Sequence, residues 1–214
     1  MRICVLADEP LKSEFLQKGI PEGIEIVWAD TVKVFYSISD VDVYFDLLFD
    51  MDIERMDKLR RLKEKPVFIN AVNETLPETD RAFIRINAWP TMLNRNLTEL
   101  SVYHPSQDAT ISTIFKKLLW KYQLVPDIPG MITPRIIAMI INEAYYTLEQ
   151  KVSTKDEIDV AMKLGTNYPL GPFEWGKKIG LKKIHSLLYK LSLNEDRYLP
   201  CDLLKEEAGG GWSV

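Results

Sequence analysis

Residues 126–175 constrain this chain most, because helix, cap, turn and helix signals follow one another there without a gap. From 135 to 151, apolar side chains fall at Ile137, Ile140, Ile141, Ala144, Tyr145 and Leu148, the spacing that lays a broad apolar stripe on one face of a helix. Ile136 and Met139 widen that stripe, so the helix is expected to be buried on more than one side. Ser153 and Asp156 form a capping-box pattern, with a hydroxyl for the first free N–H groups and a carboxylate near the positive end of the dipole. A second helix over 155–164 should follow. Gly165 is expected to stop it in the left-handed conformation, and Pro172 suits the first position of a third helix. Ile184, Leu187, Leu188 and Leu191 mark a fourth helix, and residues 200–208 a last short one. The tail Gly209-Gly210-Gly211-Trp212 is too flexible to be structural by itself.

The part before residue 126 has a different rhythm. Residues 2–7 are a short continuous apolar run, as in a parallel strand covered on both faces. Strands are predicted over 24–28, 44–49 and 67–70, with helices over 11–18 and 53–63. This alternation implies right-handed crossovers and a parallel α/β sheet. Further strands are predicted over 82–86 and 97–103, then a helix over 109–123. Residues 124–129 carry two prolines and form the natural boundary. The expected organisation is an α/β domain over 1–125 and a helical domain over 126–214.

A hydrophobic share of 46% over 214 residues is enough for a real core. The formal charge of -4 argues against a nucleic-acid partner, which needs a concentrated basic surface, and the basic residues from Lys58 to Lys65 read as a solvated helix face. With only Cys4 and Cys201, no disulfide framework is expected. No apolar run reaches the roughly 18 residues of a membrane span, and no secretory signal is read at the start. The expectation is a soluble cytoplasmic protein. No Cys/His cluster has metal-ligand spacing.

The segment PGMITPRIIAMIINEAYYTLEQKVSTKDEIDVAMKLGTNYPLGPFEW resembles the start of the helical C-terminal domain of the 3-hydroxyacyl-CoA dehydrogenase family, which reads PGF-x-x-NR, NEA, DID-x-AM-x-x-G and P-M-GPFE. The similar pieces are Pro129-Gly130, Arg135, Asn142-Glu143-Ala144, Ile158-Asp159, Ala161-Met162, Gly165 and the run Pro169 through Glu174. The resemblance implies a Rossmann-like domain, here reduced, before a helical domain that builds a homodimer. It also implies NAD as cofactor and an acyl-CoA-like ligand.

The family's chemistry is hard to place on this chain. A dinucleotide sheet needs a glycine-rich turn after its first strand, so that the backbone can approach the pyrophosphate. The turn here is Ala7-Asp8-Glu9-Pro10-Leu11-Lys12. Asp8 and Glu9 would face a phosphate at a cost on the order of a few kcal/mol each. Asp30 sits where such folds keep an acid for the ribose hydroxyls, and also where an ordinary strand end would sit. The stretch 31–42 is too short for the family's helical insertion, which helps to hold CoA.

The family's histidine, a general base oriented by a carboxylate, belongs to H-F-F-N-P. That segment resembles Ile86-Asn87-Ala88-Trp89-Pro90, with Ile86 in the histidine's place. Val72-Asn73-Glu74-Thr75-Leu76 resembles N-T-S-S-L and places Glu74 at the serine. Pro134 stands at the asparagine. Asn96-Leu97-Thr98-Glu99-Leu100 resembles K-L-V-E-V and keeps the carboxylate as Glu99, provided one residue is inserted after Pro90. His104 and His185 do not repair the loss. Asn142 is read as capping or cross-linking a neighbouring loop, and Tyr168 and Trp175 as packing anchors. Arg85, Asn87 and Arg135 are the candidates for an anionic ligand.

The leading expectation is a catalytically degenerate relative, a dimeric binding or scaffold protein without a cofactor. The alternative is an oxidoreductase on a 3-hydroxyacyl-CoA or related 3-hydroxy acid that binds NAD differently.

Overall fold

The computed structural model describes residues 1–62 and 64–209. Lys63, the last residue of one predicted helix, and the tail residues Gly210, Gly211 and Trp212 lie outside them. The chain divides into two compact units, Met1–Met131 and Ile132–Val214.

The first unit is a seven-stranded sheet. Its elements are β1 (Arg2–Leu6), α1 (Glu9–Gln17), β2 (Glu25–Ala29), α2 (Val32–Ser37), β3 (Val43–Asp46), α3 (Ile53–Arg60), β4 (Val67–Ile69), β5 (Ile84–Ile86), β6 (Leu97–Ser101), α4 (Gln107–Leu118) and β7 (Lys121–Leu124). The strand order is β2-β1-β3-β4-β5-β6-β7. The ladder is parallel from β2 through β5, β6 is antiparallel to β5, and β7 is parallel to β6. No helix lies between β5 and β6, so the chain turns back and pairs in the antiparallel sense, since a parallel return needs a longer crossover.

One face of the sheet carries Ile3, Val5, Phe45, Phe68, Ile84 and Ile86 against Phe15 of α1 and Phe115 of α4. Phe15 meets Phe45 and Trp120 edge to face at 5.6 and 4.8 Å, a geometry that suits the ring quadrupoles. The other face packs Cys4, Tyr44, Val67 and Ile69 under Phe35 of α2 and Met56 and Leu59 of α3.

Two elements differ from the sequence reading. The helix predicted to run to 123 stops at Leu118, because Leu119 turns left-handed at φ 56°; a leucine gives no glycine-like signal for that turn, and β7 follows. Inside 31–42 the chain forms α2, capped by Thr31, which accepts the Val34 N–H at 3.3 Å.

The second unit contains α5 (Thr133–Glu149), α6 (Lys155–Thr166), α7 (Pro172–Ile179), α8 (Leu181–Ser192), a 3-10 turn at Asp196–Tyr198 and α9 (Asp202–Glu207). On α5, Ile137, Ile141, Ala144 and Tyr145 are buried, while Ile136 is 55% exposed, so its stripe is narrower than expected. The capping box is Thr154 with Glu157, one residue later than the Ser153 and Asp156 expected. Ser153 instead donates from its hydroxyl to Glu157 at 2.7 Å. Helix α6 also runs past Gly165, and Asn167 makes the left-handed turn at φ 57°; an asparagine tolerates that conformation almost as glycine does.

Three of the residues that carry the family resemblance, Asp159, Gly171 and Glu174, form a helix-capping device. Buried Asp159 of α6 accepts the Phe173 and Glu174 N–H groups of α7 at 2.8 and 3.1 Å. A carboxylate thus satisfies free donors at the positive end of a helix. Its approach requires Gly171, where a Cβ would stand 2.2 Å from Asp159 Oδ1. Glu174 accepts the Gly171 N–H at 2.8 Å and pairs with Lys163 of α6 at 2.5 Å. Asn142 cross-links as read: its amide donates to the Leu199 carbonyl at 2.9 Å, and its oxygen accepts the Cys201 N–H at 2.8 Å. Trp175 is buried, and the Tyr168 ring lies 5.5 Å from it.

Asp159→Ala strands two part-buried N–H groups, and Gly171→Ala drives a methyl into the same carboxylate. Each is expected to lower stability by about 2–4 kcal/mol in urea unfolding, while the double variant loses much less than the sum because both break one contact. Simple additivity would show that the two act separately.

Candidate functional site

Open α/β sheets bind ligands beyond the carboxyl ends of their strands. Here that edge gathers Asp8, Asp30, Asp46, Asn70 and the segments that follow β4 and β5. Helix α1 begins there with its N-terminus already satisfied. The Asp8 carboxylate accepts the Leu11 N–H at 3.0 Å, and Pro10 brings no N–H at all. Lys12 then reaches from α1 to Asp30 at 2.8 Å and to Glu9 at 3.0 Å. A pyrophosphate would meet a carboxylate, a proline ring and no glycine, so these residues do not fit a dinucleotide held in the usual manner. Asp30 is exposed at the end of β2, with its carboxylate paired to Lys12.

Asp46, fully buried at the end of β3, is held by Arg55 of α3 through bonds of 2.6 and 3.2 Å. Burial pushes its carboxyl above the usual range, and the guanidinium pulls it back. Asn70, just past β4, ties three segments together by donating to the Leu47 and Ala88 carbonyls and accepting the Ala88 N–H, all at 3.0 Å.

The pleat of the sheet decides which side chain accompanies Glu99. Ile86 pairs with Leu100 in the β5–β6 ladder, and both point into the core under α1 and α4. Successive residues alternate faces. Asn87, whose N–H donates to the Glu99 carbonyl at 3.0 Å, therefore stands opposite Glu99 on the same face; the two are 4% and 8% exposed. Asn87, and not Ile86, is the residue of β5's end that shares a face with Glu99. An amide there can donate and accept hydrogen bonds, but it cannot take up a proton near neutral pH.

Arg85 does not serve an anionic ligand. It is fully buried, and its guanidinium donates to the Ala71, Val72 and Ile128 carbonyls and pairs with Asp127. Glu74 lies half-buried in the loop after β4, whose Leu76 N–H is fixed by Asp127 at 2.9 Å. In the second unit, the Arg135 guanidinium lies 5.6 Å from the Tyr198 ring centre, and Pro134 is buried in the first turn of α5. His104 is exposed beside Tyr103, and His185 stacks on Tyr189. Among the described residues no group of His, Cys, Asp and Glu is arranged to hold a metal, and no helix is long and apolar enough to cross a membrane.

A cavity of about 370 Å³ opens at the other end of the strands, lined by Met1, Asp42, Pro66, Thr110 and Lys117 among others. It lies away from Asn87 and Glu99. The sequence reading passed over Arg95, which the loop after β5 brings into the electrostatic field of Glu99; no local pattern marks it, because its neighbours come from α1 and β6.

Residues 130–211 match the family described as 3-hydroxyacyl-CoA dehydrogenase, C-terminal domain. The chain is 46% identical over 86 residues to 3-hydroxyadipyl-CoA dehydrogenase of Escherichia coli K12, covering 39% of this chain and 18% of that protein. It is 36% identical over 141 residues to 3-hydroxybutyryl-CoA dehydrogenase of Bradyrhizobium diazoefficiens, covering 63% and 48%. The matches thus span about half or less of the length of these curated relatives. In fold, the chain is similar to the crystal structure of (S)-3-hydroxybutyryl-CoA dehydrogenase from Ralstonia eutropha, with TM-score 0.73, 19% identity, and coverage of 99% of this chain and 94% of that one. With the motif at Asp159 and Gly171, the helical unit is similar to the C-terminal domain of the 3-hydroxyacyl-CoA dehydrogenase family, and the chain as a whole shares the fold of the Ralstonia eutropha enzyme.

Proposed function

We propose that this chain is a non-redox member of its family, a homodimeric protein that binds a small ligand rather than oxidising one. The observation that carries this reading is the Asp8 carboxylate seated on the N-terminus of α1, where the family's fold would receive the negatively charged pyrophosphate. Asn87 opposite Glu99 acts in the same direction, since the carboxylate has no imidazole beside it to orient. The two free cysteines, both buried, are compatible with the cytoplasmic location expected from the sequence.

The proposed dimer uses the helical unit. Val160 and Leu164, four residues apart on α6, are 49% and 83% exposed, and an apolar strip of this kind is what a second copy would cover. Light scattering at micromolar concentration is expected to give twice the chain mass, and Leu164→Glu the single mass. A monomeric wild type sinks the dimer.

The redox reading is tested by titrating NADH and following its fluorescence, together with turnover of acetoacetyl-CoA. The expected outcome is no saturation up to millimolar NADH and no turnover, in the wild type and in Asn87→His alike. Saturable binding with turnover would establish the alternative, an oxidoreductase on a 3-hydroxyacyl-CoA or related 3-hydroxy acid.

A further inference from the structure

The loop between β5 and β6 is strapped along α1. The Thr91 N–H donates to Glu14 Oε1 at 2.6 Å, Asn94 donates to Gln17 at 3.3 Å, and the Lys18 ammonium bonds the Arg95 carbonyl. Met92 and Leu93 are buried beneath it. Thr91 is held at φ 74°, a region that a β-branched residue occupies only under constraint from its surroundings.

Arg95, whose carbonyl Lys18 holds at the end of this strap, is half-buried. Burial lowers its pKa, and Glu99 and Glu14 pull it back. Yet its guanidinium makes no ion pair or hydrogen bond with any described residue, in contrast to Arg85. Where the same strap meets α1 through the Thr91–Glu14 bond, Glu14 Oε2 and Thr91 Oγ1 are buried without a hydrogen-bond partner, which is costly in a folded protein. The unmet groups are a planar cationic fork, a hydroxyl and a carboxylate oxygen that needs a donor. A carboxylate answers the fork with two parallel bonds, and a hydroxyl on the same molecule answers Glu14 Oε2.

We propose that Arg95, Thr91 and Glu14 form a binding site for a small hydroxycarboxylate, with Arg95 taking the carboxylate and Glu14 the hydroxyl. The proposal rests on the reading of a binding protein, and the two fail separately: NADH binding would sink that reading while leaving the response to hydroxy acids unchanged.

The test is calorimetry and thermal melting of the full chain with lactate, 3-hydroxybutyrate, propionate, butyrate and inorganic phosphate. One of the two hydroxy acids is expected to bind saturably, about 3- to 10-fold tighter than its unhydroxylated partner. Arg95→Met should weaken it by roughly 10- to 100-fold, as expected for losing a charge-assisted pair. Arg95→Lys, which keeps the charge and is the milder change if Arg95→Met folds poorly, should fall between. Glu14→Gln should abolish the preference for the hydroxylated acid, and Arg81→Met, whose guanidinium lies over Tyr103, should bind as the wild type. Equal binding by Arg95→Met, no saturable binding of either hydroxy acid, or the same preference in Glu14→Gln would overturn the proposal.

Discussion

The carboxyl edge of the sheet depends on one buried cation. Arg85 is taken wholly out of water on β5, and a guanidinium in that position is tolerable only if its donors are matched. It is matched by three backbone carbonyls and by Asp127. Asp127 in turn fixes the loop after β4 through Leu76, and the Gly130 N–H closes on the Val72 carbonyl at 2.8 Å. The loop bearing Glu74 and the segment leaving the sheet are therefore set by a single side chain. The same bonds remove Arg85 from ligand recognition and leave that work to an arginine ten residues further on.

The two units use one physical device to opposite effect. In the helical unit, the Asp159 carboxylate caps α7, and Gly171 lets it approach. In the sheet unit, the Asp8 carboxylate caps α1 and occupies the place where the same dipole would receive a phosphate. A cap and an anion site are the same free N–H groups; which one a helix becomes depends on whether the chain supplies its own carboxylate.

Much of the fold was legible because it rests on local signals. The apolar stripe of α5, Pro172 at the start of α7 and the short buried strands all appear where periodicity and capping chemistry placed them. The misses share a cause as well. Thr154 rather than Ser153 caps α6, and Asn167 rather than Gly165 ends it, because adjacent residues of similar chemistry compete and packing of the helix chooses between them. Leu119 turns left-handed without glycine because β7 pairs with β6 beyond it.

The sequence alone determined the likeness of the helical half to its family, the alternation of strands and helices before it apart from α2 and β7, and the absence of a glycine turn after β1, since each is a matter of residue type at fixed spacing. The tertiary structure decided what faces what. It put Asn87 and not Ile86 opposite Glu99, since the pleat sends neighbours to opposite faces and only the ladder fixes the phase. It enclosed Arg85 and left the Arg95 guanidinium without a hydrogen bond among the described residues, because those fates depend on carbonyls and carboxylates brought from distant parts of the chain.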